Sequence, residues 1–118
     1  MAAQKTRKEL QEQIRRLQQE LKEASKQKPP PLNEIDRVYF WLGQAVLKTR
    51  NERLVTQGDL AARLNFTRTS VVNLEQGRQR APLHVWMLAA EILSIRFVEL
   101  LELAKALEAD YLERVSQP

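Results

Sequence analysis

The sequence contains no cysteine and only one histidine, His84. Without cysteine the chain has no disulfide, zinc knuckle or thiol chemistry, which fits a reducing compartment. One histidine is too few for a metal site or a catalytic triad. The sequence shows no paired carboxylates suited to a pocket, no nucleophile with a base and no phosphate-binding loop. We therefore expect a protein without enzymatic activity, metal or cofactor.

Long apolar runs are also missing. No uncharged apolar segment approaches the roughly 18 residues that a membrane-spanning helix needs. The basic start of the chain lacks the apolar core of a secretory signal peptide. Helical periodicity is almost continuous, there are only 3 glycines, and no segment alternates for long enough to form a strand. These features predict an all-α, soluble, cytoplasmic protein with no membrane partner.

Positive charge is concentrated toward the beginning of the chain. The formal net charge is +4, from 19 Lys and Arg against 15 Asp and Glu. Residues 1–28 hold 8 basic and 4 acidic side chains, residues 29–83 hold 8 and 5, and residues 84–118 hold 3 and 6. A basic surface favours nucleic acid, because neutralising phosphates releases condensed counterions. The acidic end is expected to point away from phosphate.

A short helical pattern begins at Thr56. Thr56 is followed three residues later by Asp59, which is the form of a capping box. Residues three and four apart share one helical face, and here the shared face is apolar: Leu60, Ala61 and Leu64. Asn65 follows where a tight turn needs left-handed backbone, which asparagine tolerates better than most residues.

A second short helix is predicted directly after this turn. Thr67 has the side chain of an N-cap, Val71 and Leu74 are spaced to face inward, and Gly77 is suited to end the helix. Two short helices joined by a tight turn make a helix-turn-helix.

With this motif, the sequence resembles the Cro/CI repressor-like (XRE-type) DNA-binding domains. The resemblance runs over residues 42–101, about half of the chain. Its main matching positions are Leu42, Gly43, Arg50, Thr56, Gln57, Asp59, Leu60, Ala61, Ser70, Val71, Glu75, Gln76, Gly77, Arg78, Pro82, Leu88, Ala89, Ile92 and Leu93. The chain departs from the family at Asn65, where glycine is usual, and at Leu54, where glycine is common. The resemblance implies binding to double-stranded DNA.

The second helix of the motif is the expected recognition helix. With its apolar residues turned inward, the outward positions are Arg68, Thr69, Val72 and Asn73, and the resemblance places base reading on the same residues. Arg68 can form a bidentate pair with guanine and Asn73 with adenine, while Thr69 or Val72 can contact a thymine methyl group.

Four residues are predicted to bind phosphate. Gln57 begins the first motif helix, where free amides and the helix dipole favour an anion. In the resembled family this glutamine binds phosphate, and the resemblance extends that role to Thr67. Arg78 and Arg80 follow the recognition helix, where they can position the domain on the DNA backbone.

Arg50 and Glu75 have a different predicted role. The resemblance implies that they form an enclosed ion pair between the first helix of the domain and the end of the recognition helix. We therefore interpret both residues as structural.

The chain divides into four predicted segments. Residues 1–28 form an amphipathic, coiled-coil-like helix, residues 29–33 a proline-rich linker, residues 34–101 the XRE-type domain, and residues 102–118 a helical extension. The N-terminal helix carries an alternating apolar seam of Leu10, Ile14, Leu17 and Leu21. This seam favours a dimeric coiled coil, with packing on the domain, binding to a partner protein, or a frayed arm as alternatives.

A second apolar stripe lies in the C-terminal helix and consists of Phe97, Leu101, Ala104, Leu107 and Tyr111. It fits either a dimer interface or packing onto the first helix of the domain, and the dimer interface is the prediction.

The leading hypothesis is a bacterial or phage-encoded, dimeric transcriptional repressor on a palindromic operator. The alternative is an antitoxin-like or defence-associated adaptor that binds a partner protein and autoregulates through DNA.

Overall fold

The computed structural model describes residues 6–24 and 29–116, with side chains described for residues 6–19 and 29–116. The described residues form six α-helices and no strand: α1 (Arg7–Ala24), α2 (Glu34–Glu52), α3 (Gln57–Leu64), α4 (Arg68–Glu75), α5 (Leu83–Ile92) and α6 (Phe97–Ser116). The predicted all-α class is confirmed, with a five-helix domain (α2–α6) after an N-terminal helix and with a long last helix. None of these six helices has the length and apolar character needed to cross a membrane.

Short polar side chains begin the helices of the domain. Asn33 Oδ1 accepts hydrogen bonds from the amides of Ile35 and Asp36 at the start of α2. Thr56 and Thr67 each accept from the amide three residues later, at 3.1 Å, which confirms both predicted N-caps. Because a cap satisfies an amide that has no partner inside the helix, each contributes roughly 1 kcal/mol.

Left-handed backbone occurs where the sequence departs from the resembled family. Asn65 has φ 58° and Leu54 has φ 57°, so both positions take a conformation that glycine adopts without steric cost. Leu54 connects α2 to α3, and its side chain is 59% exposed. A leucine in this conformation costs roughly 1–2 kcal/mol.

The core is built around α2, which packs against α4 and against α6. Side chains from all five domain helices meet there, and the most completely buried apolar ones are Ala45, Val46, Leu60, Val71, Leu74, Trp86, Ala89, Ala90, Leu93 and Leu100. Trp86 satisfies its indole N–H by donating to the carbonyl oxygen of Ala81 at 3.1 Å.

The C-terminal helix is part of this core, which corrects the predicted dimer seam. Leu100 and Ala104 are buried, and Phe97, Leu107 and Tyr111 pack against the core. The Tyr111 ring lies 5.6 Å from that of Trp41 on α2. Because α6 lies along α2, four of the five predicted dimer residues (Phe97, Ala104, Leu107 and Tyr111) are used within one chain. Leu101 is exposed at 36%, while Phe97, Leu107 and Tyr111 are partly buried.

The N-terminal helix contacts the domain beside the α2–α3 loop. The side-chain amide of Gln13 donates to the carbonyl oxygen of Leu54, and Leu17 is 6% exposed. Leu10 and Ile14 are about half exposed. Leu17 is therefore not part of an open seam on α1, while the side chain of Leu21 lies outside the described residues.

The crossing of α2 and α4 depends on a glycine. A Cβ atom at Gly43 would lie 2.3 Å from the carbonyl oxygen of Leu74 and 2.6 Å from that of Glu75. Both obstacles are backbone atoms, so the helices would have to separate to make room.

We expect Gly43→Ala to lower the free energy of unfolding by about 3 kcal/mol or more, because the added methyl group overpacks a helix crossing. Urea denaturation measures this loss. Gly58→Ala is the matched control: its nearest non-local atom is Thr56 Oγ1 at 3.8 Å. Because Gly58 lies in the first turn of α3, Gly58→Ala should leave the free energy of unfolding unchanged or raise it by up to about 1 kcal/mol. Equal stability of the two variants would contradict the close crossing.

Candidate nucleic-acid interface

Helices α3 and α4 are joined by a turn of three residues, Asn65, Phe66 and Thr67. Asn65 makes the turn, the amide of Phe66 donates to the carbonyl oxygen of Ala61 at 2.8 Å, and Thr67 starts α4. Leu60 and Leu64 of α3 join the same apolar cluster as the buried face of α4. This arrangement is a helix-turn-helix, built as the spacing of the sequence predicts.

The outer side of α4 carries all four predicted base-reading residues. The buried residues of this helix are Val71, Leu74 and Glu75. Arg68 and Thr69, in its first turn, are exposed, and Val72 and Asn73 are partly buried. The first turn of α4 therefore presents a guanidinium group and a hydroxyl group to solvent. Further along the helix, the side-chain amide of Asn73 and the apolar side chain of Val72 are partly exposed.

The inner side of α4 is held by a buried ion pair. Arg50 Nε lies 2.7 Å from Glu75 Oε2, and Arg50 Nη2 lies 3.2 Å from Glu75 Oε1. Both side chains are fully buried. The contact is bidentate, which fixes the orientation of the two groups as well as their distance. It joins α2 to the last turn of α4.

Further hydrogen bonds extend this network. Arg50 Nη1 donates to the carbonyl oxygen of Val55 at 2.9 Å, Gln57 Nε2 donates to Glu75 Oε1 at 2.9 Å, and Gln44 Nε2 donates to the backbone oxygen of Glu75 at 3.0 Å. The α2–α3 loop is thereby connected to Arg50, and α3 is connected to the carboxylate of Glu75. Gln44 and Val55 stand in no sequence motif that predicts these contacts.

The prediction that Gln57 binds phosphate is corrected by the structure. Its side chain is 6% exposed, and its amide donates to Glu75 instead of pointing to solvent. The physical reason is the carboxylate of Glu75, which is fully buried and therefore needs hydrogen-bond donors from the protein. The exposed residues at the start of α3 are Gly58 and Asp59.

The other three predicted phosphate contacts are exposed, with different surroundings. Arg78 has no ion pair in the part of the chain that the structure describes. Arg80 donates from Nε to Asp36 Oδ1 at 3.0 Å, so its charge is largely neutralised by α2. The Thr67 hydroxyl caps α4 and lies 2.9 Å from the hydroxyl of Ser70.

The N-terminal helix borders this surface. Glu9, Glu12, Gln13 and Arg16 of α1 line a depression together with Thr56 and Asp59 at the start of α3. Helix α1 therefore lies beside the helix-turn-helix, with both acidic and basic side chains facing the depression.

Comparison with solved structures identifies a regulator with the same fold. Two crystal structures of the clp gene regulator ClgR from Corynebacterium glutamicum superpose on the chain. In one, 68% of this chain and 96% of the ClgR chain are covered, with 22% identity and a TM-score of 0.58. In the other the coverage is 74% and 93%, with 26% identity and a TM-score of 0.60. No family model and no curated protein matches the chain. The fold is that of a gene regulator.

Removing one partner of the buried pair should be costly. We expect Glu75→Ala to destabilise the protein by roughly 3–5 kcal/mol, because Arg50 remains buried without its carboxylate. The double variant Arg50→Met, Glu75→Leu should recover much of this loss, since it leaves no isolated charge. Thermal and urea denaturation of the three proteins provide the measurement.

The exposed Arg80–Asp36 pair supplies the control. Asp36→Ala should change stability by at most about 1 kcal/mol, because solvent screens a surface pair. A loss for Glu75→Ala no larger than that for Asp36→Ala would contradict the structural role of the buried pair.

Proposed function

We propose that the protein is a transcriptional regulator of the Cro/CI repressor-like type that binds double-stranded DNA sequence-specifically. It acts as a homodimeric repressor on a palindromic operator, in the cytoplasm of a bacterium or as a phage-encoded factor. The observation that carries the proposal is the helix-turn-helix whose second helix turns Arg68, Thr69, Val72 and Asn73 outward. The shared fold with the clp gene regulator ClgR supports it.

In this proposal α4 enters the major groove with its first turn. Arg68 donates two hydrogen bonds to a guanine, and Asn73 pairs with an adenine through its amide. Val72, partly buried, supplies apolar contact for a thymine methyl group. Two copies place their α4 helices in successive major grooves about one helical turn apart. Occupancy of the operator excludes polymerase, so repression requires no reaction.

Phosphate contacts then come from fewer side chains than the sequence predicts. Arg78, exposed and outside any ion pair of the described residues, is the strongest candidate, followed by Thr67. Arg80 contributes only if phosphate replaces Asp36 as its partner. Gln57 supports the interface indirectly, through its hydrogen bond to Glu75.

A second function is favoured by the exposed seam of α1. Leu10 and Ile14 are 46% and 50% exposed although α1 contacts the domain. An antitoxin-like or defence-associated adaptor would bind a partner protein through these residues and use α4 for autoregulation. Purification of the chain alone separates the two proposals, because the adaptor is expected to require its partner for stability.

Base reading and phosphate binding should separate in mutants. On a duplex that the wild-type chain selects from random DNA, Arg68→Ala should lose roughly 1–3 kcal/mol of binding and relax preference at one base position. Arg78→Ala should weaken binding to selected and random duplexes about equally and reduce the salt slope by about one unit. Fluorescence anisotropy at several salt concentrations measures both effects.

Arg114, near the end of α6, is the matched control, since it is an exposed arginine outside the helix-turn-helix. Arg114→Ala should leave the affinity for the selected duplex nearly unchanged. Identical losses for all three arginine variants would show that only net charge matters, and base reading by α4 would be wrong.

A further inference from the structure

The outward flank of α6 carries a second stripe that the core does not use. Its apolar members are Val98, Leu101, Leu112 and Val115, which are 52%, 36%, 56% and 58% exposed. Lys105 and Glu108 lie between them on the same flank. The six positions are separated by alternating steps of three and four residues, which is the spacing of a coiled-coil seam. We call these six residues the outer stripe.

The outer stripe is separate from the side of α6 that packs within the chain. Of the inward residues, Leu100 and Ala104 belong to the core and Leu107 packs against it, whereas the exposed large apolar residues of α6 all belong to the outer stripe. It also uses no residue of α3 or α4. A partner that binds the outer stripe would make no contact through it with the outer side of α4.

The order of residues in the outer stripe is self-complementary when two copies run antiparallel. If a two-fold axis passes between Ala106 and Leu107, Val98 faces Val115 of a second copy and Leu101 faces its Leu112. In the same register Lys105 faces Glu108. All six positions of each helix are thus matched, apolar with apolar and cation with anion. A single register satisfies the whole stripe.

The two charged residues are not paired within one chain. Lys105 is exposed, Glu108 is partly buried, and neither forms an ion pair with another side chain among the described residues. Both are therefore available to a second copy. Two symmetric Lys105–Glu108 pairs would stand at the centre of the interface, where they fix the register and the antiparallel orientation.

The apolar surface continues beyond the helix itself. Leu112 borders a groove of about 310 Å³ that is also lined by Pro31, Leu32 and Trp41. Leu32, which lines the same groove, is 94% exposed, so this apolar side chain is open to solvent in one chain. An antiparallel helix lying along α6 would pass over the edge of this groove.

From this geometry we infer that the outer stripe is the homodimer interface, with the α6 helices of two copies antiparallel in the register given above. The inference rests on the proposed dimer but not on DNA recognition. Its test is therefore made without DNA, so failure of base reading and failure of the interface give different results.

Charge reversal on the full-length chain tests the register. Sedimentation equilibrium of the wild-type chain over a wide concentration range should show a monomer–dimer equilibrium. Lys105→Glu and Glu108→Lys should each raise the dimer Kd at least about tenfold, because like charges then face each other twice per dimer. The double variant Lys105→Glu, Glu108→Lys should return to within about threefold of wild type, since the pairs are restored with reversed signs.

Two further variants serve as controls. Asp110→Lys makes the same charge change as Glu108→Lys on an exposed position of α6 outside the outer stripe, and it should leave the Kd nearly unchanged. Leu112→Glu should give monomers with unchanged helical circular dichroism, because Leu112 is already 56% exposed in one chain.

Three results would overturn the inference. One is a folded wild-type chain that stays monomeric at every concentration. Another is a double charge variant as weak as the single variants. The third is a dimer that resists Leu112→Glu but is lost with Leu10→Glu and Ile14→Glu, which would assign the interface to α1.

Discussion

Helix α4 is held in place by one buried ion pair, and the arrangement of the helix-turn-helix depends on it. Helix α4 has only eight residues, too few for a stable isolated helix. Its last turn is fixed to α2 through the bidentate contact between Arg50 and Glu75. The Gln57 amide occupies Oε1 of the same carboxylate, so α3 is tied to the same point. The first turn of α4 is thereby left free to face outward.

Close backbone contact between α2 and α4 makes this arrangement rigid. Gly43 allows the carbonyl oxygens at the end of α4 to approach α2 more closely than any Cβ atom would permit. Gly77 performs the same role just after α4, where a Cβ would lie 2.6 Å from the Cα of Phe40. Its φ of 72° also favours glycine, which adopts this conformation without steric cost. The orientation of α4 is therefore set by two interactions near its C-terminal end: the close backbone contacts at Gly43 and Gly77, and the buried ion pair between Arg50 and Glu75.

Much of this structure could be predicted from local sequence. Thr56 and Thr67 begin helices because their hydroxyl groups cap free amides, and Asn65 turns the chain because it tolerates left-handed backbone. These effects act over a few residues, so spacing reveals them. Periodicity also identified the apolar face of α6. It could not identify what covers that face, because Tyr111 meets Trp41 from a distant segment.

The role of Gln57 shows the same limit at the site itself. A polar side chain at the start of a helix is suited to bind phosphate, and nothing nearby in sequence indicates otherwise. Its partner is the carboxylate of Glu75, eighteen residues later, at the end of another helix. Only the folded packing of α3 on α4 brings these groups together. The residues around Gln57 in the sequence are compatible with either phosphate binding or an internal hydrogen bond, and the tertiary contact with Glu75 favours the internal hydrogen bond.

The central claim is that the outer side of α4 meets DNA. Its most direct test is to follow the backbone amide resonances of the full-length protein by NMR during titration with a duplex selected from random DNA. With protein held well above the dimer Kd, the largest shift changes should fall in residues 67–73, with smaller ones at the start of α3. Changes confined to α1 or α6, with α4 unaffected, would contradict the account.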